Sequence, residues 1–392
     1  MSVAPQAPEV APEAVRYSLR ELVLYFLHLG TTGFGGPIAL VGYMQRDLVE
    51  RRRWISLKDY KEGLALAQLA PGPLAAQLAI YLGWLDHGVL GATLVAIAFV
   101  LPSFGMVFVL SALYLAYGGL PWMQGAFYGI GAAVIAIIAR SVYKLTKSTL
   151  GSDWLLWALF LVSAFVTAWT ESEVVWLFVL CGVVALLARG RSTASSALVL
   201  VPWPWLLTGV HGEAPASVLW RIASCFAEAG TFVFGSGLAI VPFLHGAVVN
   251  DLGWLTERQF LDAVAVAMIT PGPVVITVAF IGYLVAGPLG GLVAAIAVFL
   301  PCYLLVVIPA RYFRRSVHDP RVKAFVEGVT AAAAGAIGGA AFVLGRRAIF
   351  DVPTALIAVA TLVVLTRVKG VSEPILILGA GLLGIAVTAI AP

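Results

Sequence analysis

Two tripeptides, Pro71-Gly72-Pro73 and Pro271-Gly272-Pro273, are where this sequence is best equipped for chemistry. Each interrupts an apolar stretch. Proline lacks an N–H, and the residue before it is pushed out of the helical region, so neither tripeptide can continue an α-helix. Carbonyls freed by such a break cost several kcal/mol in hydrocarbon, so the break must face protein or a wet cavity. Proline also suits the first position of a helix. Pro73 and Pro273 are therefore expected each to begin a half-helix whose free N–H groups and positive dipole end can hold an anion. The Gly-rich turns at 33–37, with Gly35 and Gly36, and at 233–237, with Gly235 and Ser236, would add backbone donors. Thr31, Thr32, Gln68, Gln77, Thr231, Thr270 and Thr277 are the nearby uncharged polar groups. The set suits a small oxyanion held by dipoles and hydroxyls. The plainer alternative is that the breaks only kink helices for packing.

Ionisable residues inside apolar stretches form a second set. His28 aligns with Glu228, each just before a Gly-Thr element, and Glu62 aligns with Asp262 at the start of each broken segment. Either pair could carry a coupled proton. The structural alternatives are an N-terminal helix charge for Glu62 and Asp262, and a buried pair or headgroup contact for His28 and Glu228. Lys144 and Arg347 read as snorkelling helix-end cations or as the lining of an anion vestibule.

The elements that must position these residues are membrane helices. Of 392 residues, 61% are hydrophobic and only 11% are charged, and the mean hydropathy is +0.98. A soluble domain carries about twice that charge, so there is too little to cover a water-facing surface. At about 30 residues per crossing and loop, the chain allows 12–13 membrane segments. Forty Gly and 21 Pro point to broken or re-entrant helices around a cavity. Cys181, Cys225 and Cys302 lie far apart, so no metal site, disulfide or cofactor is expected. No GxxxxGK[ST] loop occurs, so no ATPase is built in, and no nucleic-acid partner is expected. Residues 1–17 read as a disordered tail without the basic region of a signal peptide.

The sequence is one unit written twice. A shift of 200 superposes Gly30-Thr31, Phe34-Gly35, Trp54, Pro71-Gly72-Pro73 and Gly91 on Gly230-Thr231, Phe234-Gly235, Trp254, Pro271-Gly272-Pro273 and Gly291. Further on, a shift of 203 places Gly125 on Gly328 and Lys144 on Arg347. The first repeat spans 18–188 and the second 220–392, joined by 189–219 with an apolar piece at 197–210. Each repeat holds a Gly-rich segment (21–44; 220–244), a broken segment (60–84; 259–285) and a helix reaching a Pro (88–117; 288–313). A further helix (122–143; 324–344) and two short ones (154–188; 353–391) complete it.

Loop charge sets the relative orientation. Arg46, Arg51, Arg52, Arg53, Lys58 and Lys61 follow the first Gly-rich segment, whereas the equivalent loop carries Arg258 alone among cations. The loop 117–121 is uncharged, and its equivalent holds Arg311, Arg314, Arg315, Arg321 and Lys323. Equivalent loops thus have opposite positive-inside character. The expected fold is an all-α polytopic membrane protein built as an inverted repeat. A re-entrant hairpin at 60–84 fits the loop signs better than a crossing, although Arg346 and Arg347 run against the pattern.

Gly30-Thr-Thr-Gly-Phe-Gly-Gly-Pro37, Trp54 and Glu62-Gly-Leu-Ala-Leu-Ala-Gln-Leu-Ala-Pro-Gly-Pro73 resemble the N-terminal signature of the chromate ion transporter family. Gly230-Thr-Phe-Val-Phe-Gly-Ser-Gly237, Trp254 and Ile269-Thr-Pro-Gly-Pro-Val274, running on to Gly287, resemble its C-terminal signature. The resemblance covers nearly the whole chain, in the long two-domain form. It implies transport of chromate across the bacterial inner membrane, usually as efflux that gives resistance, with sulfate as competitor. The half-sites differ, because Gly36-Pro37 becomes Ser236-Gly237 and Gln68 and Gln77 become Met268 and Thr277. An anion channel or a sulfate carrier is the alternative, and a membrane reductase is disfavoured for want of a cofactor motif. Small-residue stripes at Gly328–Gly339 and at Gly379, Gly381 and Gly384 permit a homodimer or packing within the chain.

Overall fold

The computed structural model describes residues 15–34, 36–70, 72–117, 120–170, 175–189, 215–232, 240–313, 320–368, 371 and 373–390. Every described element is helical. The first half holds α1 (Leu19–Thr32), α2 (Gly36–Met44) running into a π-helical turn (Gln45–Arg51), α3 (Leu57–Leu69), α4 (Leu74–Tyr117), α5 (Pro121–Leu150), α6 (Trp154–Thr170) and α7 (Val175–Arg189). The second repeats the order: α8 (Pro215–Phe232), α9 (Ile240–His245) with a π-helical turn (Gly246–Asp251), α10 (Glu257–Ile269), a 3₁₀ turn (Val274–Ile276), α11 (Thr277–Phe313), α12 (Pro320–Ala348), α13 (Val352–Arg367) and α14 (Glu373–Ile390). The expected apolar piece at 197–210 lies outside the described residues. Among the described residues, four helical stretches, 74–117, 122–144, 274–311 and 324–348, are long and apolar enough to cross a membrane, and four shorter apolar helices accompany them. Leu101, Val109, Leu161, Phe165, Leu289 and Leu378 are among many large side chains left exposed, as a lipid-facing surface requires.

The broken segment is a hairpin. Gly63 of α3 lies against the ring of Tyr81, each nine residues from Gly72, so the chain folds back on itself there. α4 is itself two arms. Gly88 has φ 58°, a left-handed conformation that glycine adopts without steric cost, and Gly83 touches Gly91 and Val95 across the reversal. The arm 74–87 thus returns to the end from which α3 set out. The arm 89–117 runs roughly 43 Å, enough to cross. The Gly-rich segment also folds back, because the Val15 amide donates to the Arg53 carbonyl (2.8 Å) and Tyr17 stacks on Trp54. Tyr17 donates to Asp86 as well. The starts of α1 and α3 and the Gly88 turn therefore share one end of the bundle, here the basic end, with Arg46 and Arg51–Arg53.

The second half repeats this upside down. Its reversal lies at Gly287 (φ 65°), with Gly282 against Gly290 and Ala294. The long arms of α4 and α11 are antiparallel: Thr93 Oγ1 is 2.7 Å from Tyr303 OH, and a Cβ on Gly291 would lie 3.4 Å from the Phe108 ring. Arg258, at the start of α10, donates to the carbonyl of Gln124 (3.4 Å) at the start of α5. Arg258 therefore sits at the distal end, opposite Arg51–Arg53. Arg347 is distal too, where it pairs with Glu257. This carboxylate accounts for the cation that runs against the loop pattern.

Beyond the prolines the two halves are offset by 199 residues, and Gly91 corresponds to Gly290 and not to Gly291. The missing residue is absorbed at Val274–Ile276. Three residues of 3₁₀-helix rise about 6 Å, as four of α-helix do.

The outer helices are exchanged between halves. α5 packs on α13 and α14, while α12 packs on α6 and α7. Gly125 and Gly129 meet α14 at Gly384, Gly335 and Gly339 meet α6, and Gly328 meets α7. The small-residue stripes are thus used within the chain, although Gly379 faces open space.

Candidate functional site

The two hairpin tips meet between the halves. The Gly272 amide donates to the Gly33 carbonyl at the C-terminal end of α1 (3.0 Å). A Cβ on Gly272 would lie 2.8 Å from Ser103 Oγ on α4. On the other side, a Cβ on Gly72 would lie 2.4 Å from Gln77 Nε2 and 3.1 Å from Cys302 Sγ on α11. Each tip therefore rests on the long arm of the opposite half. Both glycines have φ in the left-handed range, +138° and +97°, which lets the chain turn in so little space.

Several helices that begin at the bundle ends are capped by side chains, although α5, with Leu120 at its N-cap, is not. Ser18 caps α1, Ser56 caps α3, Thr256 caps α10 and Asp351 caps α13. At the tips the residue before the helix is a proline. Pro73 immediately precedes α4 and accepts from the Gln77 amide (3.0 Å). Pro273 occupies the N-cap of the 3₁₀ turn with no side-chain cap bond. Both prolines thus stand one position before the expected first turn, in extended backbone at Pro273. The outcome for an anion is the same, because the first amides of a helix have no intrahelical acceptor and a proline cannot cap them.

The hydroxyls are arranged differently from expectation. Thr31 donates to Leu27 O, Thr32 to His28 O, Thr231 to Ala227 O, Thr270 to Ala267 O and Thr277 to Val274 O, at 2.7–3.0 Å. A hydroxyl has one proton, so in this arrangement each offers lone pairs, not a donor. Gln77 is fully buried at the Gly72 tip and Gln68 is exposed near it. Pro271 and Gly272 are buried, and Gly36 begins α2. Gly35, Pro71, Gly235 and Ser236 lie outside the described residues.

The ionisable candidates are not gathered at the tips. Asp262 is buried and accepts from Tyr114 OH of the opposite half (2.7 Å). Its counterpart Glu62 is half-buried on α3 toward the basic end. His28 is exposed on α1 and Glu228 half-buried on α8, so the aligned pair does not meet across an inverted repeat. Lys144 is exposed at the basic end of α5. Arg347 is held at the distal end by Glu257, which also bonds His245 Nε2 (2.8 Å). A cavity of about 530 Å³ near that end is lined mostly by apolar groups such as Leu113, Trp122, Phe127 and Val266, with Tyr114 in its wall.

Sequence reasoning missed Ser103, Cys302, Tyr114 and His245. Pro102-Ser103 and Pro301-Cys302 are equivalent at the offset of 199, and a search at 200 hides them.

Comparison with known proteins agrees with this architecture. The family model described as chromate transporter matches twice, over residues 20–186 and 220–385. The chain is 57% identical to the chromate transport protein of Cupriavidus metallidurans, over 97% of this chain and 98% of that protein. It is 56% identical to the probable chromate transport protein of Synechococcus elongatus (94% and 95% covered). It is 33% identical to the chromate transport protein of Pseudomonas aeruginosa (88% and 85%). No solved structure matches the chain. With a duplicated family match that coincides with two inverted sets of helices, the chain belongs to the chromate transporter family.

Proposed function

We propose that this protein is a secondary transporter that carries chromate out of the cytoplasm across the bacterial inner membrane and so confers chromate resistance. The repeats at 18–188 and 220–392, linked through 189–219, act as its two moving halves. The carrying observation is the pair of uncapped helix starts after Pro73 and Pro273, each seated on the opposite half. A tetrahedral oxyanion takes hydrogen bonds from several directions, and amides aimed from two helix ends supply them with a favourable dipole. The cations gathered at one end support a cytoplasmic basic end. Sulfate has the same shape and is the natural competitor. The contact of Gly272 with Gly33 favours a carrier over a channel, since it bridges the route between halves.

Chromate flux into proteoliposomes under imposed proton and sodium gradients tests the function and identifies the coupling ion, for which Asp262, Glu62, Glu228 and His28 are the candidate carriers. The Pro73→Ala/Pro273→Ala double variant tests the site. Unchanged flux at equal protein level sinks it.

A further inference from the structure

α3 and α10 are equivalent helices in unequal surroundings. α10 is buried nearly all round, at Phe260 and from Asp262 through Met268, where it rests on α5 and α14. The corresponding support for α3 would be α12, which already touches it, and α7. Yet α3 leaves Lys58, Lys61 and Gln68 exposed and Glu62 half-exposed. α1 continues the pattern with Glu21, His28, Thr31 and Thr32 exposed beside Leu24 and Leu27, whereas Glu228 and Thr231 of α8 are half-covered. Gln68 lies about 16 Å along α3 from its outer end, within the depth of the hydrocarbon. An exposed amide and imidazole at that depth are tolerated only against water or protein. In the second half the matching face of α10 is covered by α5 and α14 of this same chain. The space beside α3 is therefore where α12 and α7 would close.

We infer that the structure is the form open toward the basic end: α1 and α3 line a water-filled vestibule for the oxyanion, and Tyr114 bonded to Asp262 shuts the distal end. The inference rests on the transporter reading above. The opposite form follows by exchanging the packing of the two halves, which buries Gln68 as Met268 is buried now and parts Tyr114 from Asp262. The two gates are chemically unequal. At the offset of 199 the counterpart of Tyr114 is Phe313, which has no hydroxyl to offer Glu62. The phenol bond therefore biases the protein toward the form open at the basic end.

Single cysteines at Gln68 and Met268, in a background with Cys181, Cys225 and Cys302 replaced by serine, test this with a membrane-impermeant maleimide applied from either side. Gln68→Cys is expected to react from the basic side and Met268→Cys from neither. Adding Tyr114→Phe is expected to speed reaction at Met268→Cys from the distal side by about fivefold, the worth of one such bond, and to slow Gln68→Cys. Equal reactivity of the two cysteines overturns the inference. So does an unreactive Gln68→Cys, or one that instead cross-links to the same cysteine of a second copy. If the serine background does not fold, hydrogen exchange on the native protein decides: α3 amides exchange faster than α10 amides, and equal protection refutes the open vestibule. Neither readout uses chromate, so a failed flux assay with the expected labelling would fault the transport reading alone.

Discussion

The amide of Gly272 is hydrogen-bonded to the carbonyl of Gly33, 3.0 Å away. This single bond ties the broken segment of one half to the re-entrant helix of the other at mid-depth. Movement of the halves must stretch or re-form it, and substitutions around it report on both stability and transport.

Gly272→Ala is expected to lose transport and to destabilise the protein by about 1–3 kcal/mol, the cost of a left-handed alanine. Ser103→Ala should not rescue it, because Ser103 Cβ is itself 3.0 Å from the added methyl. Thermal unfolding in detergent and chromate flux measure the two effects. Full rescue would mean that a clash with the hydroxyl, and not backbone strain, is responsible.

Pro73→Ser separates binding from stability. A serine at the N-cap accepts from the first-turn amides and typically stabilises a helix by about 0.5–2 kcal/mol. It also fills the acceptor position proposed for the oxyanion. The melting temperature should therefore hold or rise while chromate affinity falls. Retained affinity would remove the first-turn amides from the site.

Arg347→Ala should matter little. Its pair with Glu257 is about one-third exposed on both sides, which places its worth at about 1 kcal/mol or less, and it lies at the distal end. Transport near wild type is expected in a flux assay. A lost activity would return Arg347 to the transport pathway.

Asp351 carries a pH dependence. It accepts from the Thr354 amide (2.9 Å) as the cap of α13 and from Tyr128 OH of α5 (2.5 Å). Partial desolvation pushes its carboxyl up, but the bonds from Thr354 and Tyr128 outweigh that and hold it below the usual carboxylate value. Its stabilising effect is therefore complete above the ordinary value of about 3.9. It is lost as the pH falls through the lowered one. Melting temperatures of wild type and Asp351→Ala should differ by a constant amount from pH 8 to 5, reflecting a cap worth about 1 kcal/mol, and converge in strong acid. A gap that closes already near neutrality would contradict the assignment.

Much of the fold was legible because it was written twice. Pro71-Gly72-Pro73, Gly30-Thr31 and Trp54 recur in register, and loop cations set the halves in opposite senses. The hairpin at 60–84 could be reasoned from the same cations. What escaped were relationships that depend on phase. One residue lost before Gly282 shifted the long arm, so Ser103 and Cys302 did not align and their seats against the tips went unseen. The threonines were chosen for their place near the breaks, but their rotamers return the protons to carbonyls three or four residues back, which composition cannot reveal. Tyr114 carries no motif. Its meaning comes only from Asp262 facing it across the halves.

The exchange of outer helices bears on how the protein is made. α5 emerges during synthesis long before α14, yet the close faces at Gly125 and Gly129 have their partner only in Gly384 and its neighbours. The first half must therefore wait in the bilayer with its tightest seam unsealed. Truncations that remove only the last helix should leave a product that inserts but is cleared by membrane proteases, since the strand of chain completed last locks the helix laid down among the first.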